Sequence, residues 1–170
     1  MIKCSVTGIP TAIKDLILFK RSLPEKARQM IEKLGQAGYE VASAKFSTAI
    51  YAGLNDVIVT LNWENDTLAL IAQGEAVAFI EFGTGTHYAE QYPKPYEENG
   101  LVGRGEFGYK LGRFDSWRYK GDPGNEGEVI QQGPYKGWIK THGNPPARAM
   151  YDASEESRNK IEEIVKEVLK

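Results

Sequence analysis

The chain has 170 residues, 41% of them hydrophobic and 26% charged, and a formal net charge of −2. That length suits one domain, residues 1–170, with a core that needs no metal or disulfide, and the composition excludes a disordered chain. The charge gives no long-range field toward nucleic acid or an anionic membrane, and the lone cysteine, Cys4, excludes an internal disulfide.

The N-terminus, MIKCSVTGIP, has neither the basic start nor the apolar core of an export leader. No apolar run approaches the roughly 20 residues of a bilayer span. The expected setting is therefore the cytoplasm, or something assembled there. Residues 2–7 read as a short strand ended by Gly8, and Pro10 suits the first turn of a helix carrying Ile13, Leu16 and Ile17. A stronger start signal follows at Ser22-Leu23-Pro24-Glu25, a capping box in which Ser22 and Glu25 each satisfy an open backbone donor. Leu23, Ala27, Met30, Ile31, Leu34, Gly38, Val41 and Ala42 then recur at three- and four-residue steps. They predict a long amphipathic helix to about Ala49, packed on a sheet by one face and weakened at Gly35 and Gly38.

From Asp56 to Gln73 the period changes. Two β-rich runs flank Glu64-Asn65-Asp66 and predict a hairpin. Between Glu75 and Phe82, the residues Ala76, Phe79 and Ile80 fit one helical face with Gly83 as its C-cap, and they also fit a buried strand. The short helix is the preferred expectation. Gly83 to Gly143 holds thirteen of the eighteen glycines, ten of the eighteen aromatics, eight Lys/Arg and eight Asp/Glu. Such a stretch is neither a regular packed element nor an inert linker, and residues 86–140 read as a loop or extended hairpin projecting from the body. Its extended pieces are Ser116–Tyr119 and Tyr135–Lys140. Pro145 and Pro146 open a closing helix with Met150, Ala153, Ser157, Ile161, Ile164, Val165 and Val168 on one face. Glu156 and Lys160, like Glu162 and Lys166, are placed as i,i+4 pairs on its outer side.

The chemistry-bearing patterns are sparse. Residues 103–108 spell G-x-G-x-x-G, but no strand precedes them and no helical run follows, so a dinucleotide cradle is not expected. His87 and His142, with Glu81, could ligate a metal and serve a small hydrolase if their loops converged. No serine lies in a nucleophile elbow and no triad is visible, so neither a cofactor nor a catalytic residue is expected. The aromatics Tyr109, Phe114, Trp117, Tyr119, Tyr135 and Trp138 suit a protein interface, where rings supply most of the binding energy. They also suit a carbohydrate-binding module, or simple packing of the loop on its own domain. Balanced charge argues against nucleic acid as the partner, and nothing points to a membrane.

The order of helix, hairpin, FIEFGTG (Phe79–Gly85), glycine-aromatic insert, GWIKTHGNPPAR (Gly137–Arg148) and closing helix resembles a known family. It is similar to the tail-component family of long-tailed bacteriophages, often labelled gp-ten-like, and the YAGLNDV segment (Tyr51–Val57) resembles the type found in prophages of Gram-positive bacteria. The likeness runs from about Ser22 to the end. Two departures stand out: Ala149-Met150 follow Arg148 where family members place Pro-Phe, and a P-x-x-T-G-x-L segment is missing. The resemblance implies an α+β fold, a long N-terminal and a C-terminal helix on a small, mainly antiparallel sheet. It also implies a structural role in tail completion or head–tail joining, with no reaction catalysed. Its partners would be further copies of itself in a ring and neighbouring tail or neck proteins. The location implied is the bacterial host cytoplasm during assembly, then the virion. Within this frame Glu81, Phe82, Gly83, Thr84, Gly85, Pro146 and Arg148 form a structural corner. Gly83 and Gly85 stop the buried element, and Glu81 and Thr84 hydrogen-bond toward Thr141 or Arg148.

Overall fold

The computed structural model describes residues 9–85 and 116–170. Helix α1 (Ile9–Ser47) is followed by the strands β1 (Ile58–Glu64) and β2 (Thr67–Gln73) and by helix α2 (Val77–Phe82). Strands β3 (Trp117–Tyr119), β4 (Glu128–Val129) and β5 (Ile139–Thr141) come next, then helices α3 (Ala149–Asn159) and α4 (Ile161–Leu169). The fold is α+β, as expected. Its β content is divided into two antiparallel units, a β1–β2 hairpin and a three-stranded sheet ordered β3-β5-β4.

Helix α1 departs from expectation at its start. It runs without interruption through Pro24, so Ser22 is not a cap; its hydroxyl donates to the carbonyl of Phe19 at 2.8 Å. The apolar positions explain this. Ile13, Leu16 and Ile17 lie in phase with Leu23, Ala27, Ile31, Leu34, Gly38, Ala42 and Phe46, so one stripe threads both expected helices and favours a single element. Pro24 removes one backbone donor, and it lies on an exposed turn where water can serve the carbonyl left over.

Gly35 and Gly38 are sites of close approach. A Cβ on Gly35 would strike the Leu68 side chain, and one on Gly38 would sit 2.7 Å from Ser157 Oγ and 3.3 Å from the Ala153 carbonyl. The missing side chains let β2 and α3 lie directly on α1. Ser157 Oγ then donates to the carbonyl of Leu34 at 3.0 Å, across that contact.

The core is small-residue rich. Ala42, Phe46, Ala49, Ala76, Ile80, Ala149 and Ala153 are buried together, with Val59, Leu70, Ala72 and Met150 around them. Phe46 and Ile80 fill the centre, and the alanines let α1, α2 and α3 approach closely. The hairpin pairs Ile58 with Gln73 through Glu64 with Thr67, leaving the two-residue turn Asn65-Asp66, and Asn65 takes φ 54°. Asparagine tolerates that left-handed conformation, which matches the strand twist.

The expected strands at 116–119 and 135–140 are realised in part. Trp117–Tyr119 pairs with Ile139–Thr141, whereas Tyr135-Lys136-Gly137 forms a turn, with Gly137 at φ 80°. The sheet is tied to the chain after α1. Tyr119 Oη donates to the carbonyl of Ala52 at 3.0 Å, and the Asn125 side chain binds the Tyr51 N–H at 2.6 Å and the Ala49 carbonyl at 3.0 Å. The closing helix begins at Ala149, three residues after Pro146, and a turn at Lys160 divides it into α3 and α4. The ion pairs Glu156–Lys160 and Glu162–Lys166 form as the spacing predicts. The expected strand at 2–7 lies outside the described residues.

Candidate functional site

Two distant segments, 79–85 and 141–148, meet in one corner. Thr84 and Asn144 form an isolated antiparallel bridge, with Thr84 N donating to the Asn144 carbonyl at 3.0 Å. Their side chains join as well: Thr84 Oγ1 donates to Asn144 Oδ1 at 2.6 Å and accepts from the Asn144 backbone N–H at 3.1 Å. Asn144 Nδ2 donates to the Phe79 carbonyl at 2.9 Å. Asn144 is fully buried, and it satisfies its amide by spanning α2 and the bridge.

The glycines of this corner are dictated by space and by conformation. Gly83, Gly85 and Gly143 have φ of 75°, 79° and 91°. A Cβ on Gly83 would meet the backbone of Asn144 and Pro146, and one on Gly85 would meet the His142 carbonyl and the Trp117 ring. One on Gly143 would collide with the Thr84 carbonyl. Two strands of backbone lie here at a separation only glycine permits.

Glu81 holds the start of α3. Its two carboxylate oxygens accept the backbone N–H of Met150 at 2.9 Å and of Tyr151 at 3.1 Å. These donors have no partner within the helix, and the positive end of the helix dipole adds to the attraction. The carbonyls of Ile80 and Glu81 accept from Ala147 and Arg148 N–H. Arg148 sits in the left-handed region at φ 56° and donates from Nη2 to Asp152 Oδ1 at 2.7 Å; Lys45 pairs with the other oxygen of Asp152. Burial pushes the Asp152 carboxyl up, but hydrogen bonds and charge from Lys45 and Arg148 outweigh it and hold the group below its ordinary value.

The corner residues Glu81, Thr84 and Gly83–Gly85 thus do hydrogen-bond and pack as a unit with Pro146 and Arg148. The partners lie a little further along than expected, at Asn144 and at the α3 amides. Beside the corner opens a cleft of about 320 Å³ lined by Tyr51, Phe79, Trp117, Tyr119, Thr141 and Asn144, among others. Burial raises the pKa of Tyr51 and Tyr119, and the neighbouring Asp56 and Asp122 add to the respective shifts.

The expected interface aromatics divide into two sets. Trp117 and Tyr119 face the cleft, half-buried. Tyr135 and Trp138 meet edge to face at 5.4 Å, with Arg118 over the Tyr135 ring at 4.8 Å and Lys120 over Trp138 at 5.2 Å. Tyr109 and Phe114 lie outside the described residues, as does His87. His142 is exposed, and both oxygens of Glu81 face α3 amides. Among the described residues no three His, Cys, Asp or Glu side chains gather as a metal site would require.

A further surface was not singled out from the sequence, although its residues were. The stripe from Leu23 onward is expected to pack on a sheet. In the second half of α1, where Ala37, Ala42 and Phe46 are buried, it packs chiefly on α3, with α4 and the β1–β2 hairpin beside it. The first half is left bare by the described residues: Ile13 is 52% exposed, Leu16 67%, Ile17 47% and Leu18 52%. The arm is rooted where Lys26 Nζ donates to the Val168 carbonyl at 2.6 Å and where Arg28 stacks over Trp63 at 4.5 Å. The signal that could have found it is the imbalance between a 39-residue stripe and the shorter elements among the described residues.

No family model, curated protein or solved structure matches the chain. Among the described residues no helix is long and apolar enough to cross a membrane, so the bare stripe of α1 is not a bilayer span.

Proposed function

We propose that the chain is a structural subunit of a long-tailed phage or prophage particle, acting in tail completion or head–tail joining by ring assembly and protein docking. The observation that carries this reading is the bare α1 arm. An apolar stripe in phase with the core, yet left uncovered by the described residues, is suited to a subunit completed by its neighbours. The sequence resemblance supports the same reading, because its two motifs, FIEFGTG and GWIKTHGNPPAR, are the segments that join at the Thr84–Asn144 corner. The α+β architecture agrees with the one that the resemblance implies. The role is mechanical, with no reaction assigned, and its setting is the host cytoplasm during assembly and then the virion.

Deleting the coding sequence from its resident phage genome tests the proposal. Electron micrographs of induced cells should then show filled heads and tails that fail to join, restored by supplying the chain in trans. Normal infectious particles after deletion would overturn the phage role.

A further inference from the structure

The β3-β5-β4 sheet turns one face to the body and the other outward. Residues opposite one another in antiparallel strands share a face, and Ile139 and Thr141 are buried on the inner one with Tyr119 and Trp117 as their partners. The outer face therefore carries Arg118, Lys140 and Glu128, in register across the three strands, and Lys120 and Trp138 follow by alternation. The turn before β5 brings Tyr135 to the same face. That turn is bonded within itself: the Trp138 N–H donates to the Tyr135 carbonyl at 2.9 Å, and the Gly137 N–H to the Ile130 carbonyl at 2.9 Å. Arg118 lies over Tyr135 and Lys120 over Trp138, so the rings hold both cations in place.

These cations are held but not neutralised. Among the described residues no carboxylate lies within ion-pair distance of Arg118, Lys120 or Lys140, whereas Arg158, Lys160 and Lys166 of the closing helices are each paired. Glu128 is the one acidic residue in the three strands, and it forms no ion pair with Lys140 opposite. The face thus keeps a surplus of two positive charges, and it is open: Arg118 and Lys120 are exposed, and Tyr135 is 43% exposed.

The stacking decides which anion fits. A guanidinium over a ring keeps N–H groups for a carboxylate. A single-stranded nucleic acid would need open ring faces for its bases, and here each ring already carries a cation while the two rings meet edge to face. Arg118 and Lys120 stand two residues apart on extended chain, roughly 7 Å, which is also the repeat of alternate side chains in a second extended chain.

We propose that the outer face of the β3-β5-β4 sheet docks an extended acidic segment of a neighbouring protein, with Asp or Glu at alternate positions meeting Arg118 and Lys120 and with Lys140 beside them. The proposal rests on the reading of this chain as a docking subunit, and it names the chemistry that one partner must present.

A labelled peptide alternating glutamate and threonine, followed by fluorescence anisotropy with the full chain at low salt, tests it. The peptide should bind, should weaken as salt rises, and should shift the amide NMR signals of residues 118–120 and 138–140. Arg118→Gln with Lys120→Gln should weaken binding by about tenfold, while Arg118→Lys with Lys120→Arg keeps the charges and should retain most of it. Lys160→Gln with Lys166→Gln, at cations that already have partners, should change nothing. Positions 118 and 120 are exposed, so circular dichroism should be the same for these variants as for the parent. No binding at low salt, equal binding by the glutamine pair at 118 and 120, or tighter binding of single-stranded oligothymidylate than of the peptide would each overturn the site. Peptide binding at this face together with normal particles after gene deletion would keep the site and discard the phage role. No peptide binding, with unjoined heads and tails after deletion, would do the reverse.

Discussion

Thr84 and Asn144 lie 60 residues apart in the chain, yet each is the other's backbone and side-chain partner, and both are buried. The pair fastens the end of α2 to the approach of α3. Replacing Thr84 by Val keeps the shape and leaves Asn144 Oδ1 and its N–H without the hydroxyl. We expect a loss of about 2 kcal/mol, read as a lower urea midpoint with an unchanged slope. Asn144→Ala, which also releases the Phe79 carbonyl and opens a cavity, should cost more.

Glu81→Gln is expected to be worse than its near-identical size suggests. One of the two oxygens becomes an amide NH₂, which turns a donor toward the N–H of Met150 or Tyr151. A loss of about 2–3 kcal/mol should follow, with faster amide exchange at the first turn of α3. If Glu81→Gln left both stability and exchange unaltered, the carboxylate would not be holding the helix start.

Gly143→Ala combines an unfavourable positive φ with a collision against the Thr84 carbonyl. A destabilisation of about 3 kcal/mol or more is expected, compared with about 1 kcal/mol for Gly133→Ala, which shares the positive φ but faces open space. Comparing the two thermal midpoints separates crowding from backbone preference.

Acid should weaken the α1–α3 contact through Asp152. Its carboxyl is held below its ordinary value in the folded chain, so the stability it contributes is fully present above the unfolded-state value. That contribution is lost as pH falls through the folded-state value. Asp152→Asn, measured by denaturation across that range, should flatten this part of the pH profile and should remove the dependence on Lys45.

Hydrogen exchange along α1 should be graded in the isolated subunit. Amides from Ala37 to Phe46, packed against α3, α4 and the β1–β2 hairpin, should be protected to near the global limit. Those of residues 11–23 should exchange by local fraying, since an unsupported helix of that length is marginal in water. Protection of the arm should then rise with protein concentration.

Much of this architecture can be read from residue order. Asn65-Asp66 between two β-rich runs marks the hairpin because few residues adopt its turn conformation. Gly83 after a helical face marks the end of α2, and the Gly83, Gly85 and Gly143 set already contains the corner. The start of α1 is obscured because Ser22 and Glu25 match a capping box by type, while the continuing phase of Ile13 to Ile31 decides the outcome. The start of α3 depends on Glu81, a residue 68 positions before Ala149, and local signals at Pro145-Pro146 cannot report it. Exposure of the arm is invisible for a related reason. A stripe shows that a face is apolar, and only the sum of the remaining elements shows whether anything in the chain is long enough to lie on it.

The half of α1 that the described residues leave uncovered also governs how the isolated subunit behaves in a tube. Salts that strengthen apolar contacts, such as sulfate, should lower its solubility long before they affect its fold, and mild detergent should restore it by coating Leu16 and its neighbours. A version that replaces Ile13, Leu16 and Ile17 with glutamine should stay clear at concentrations where the parent clouds, and should melt at nearly the same temperature.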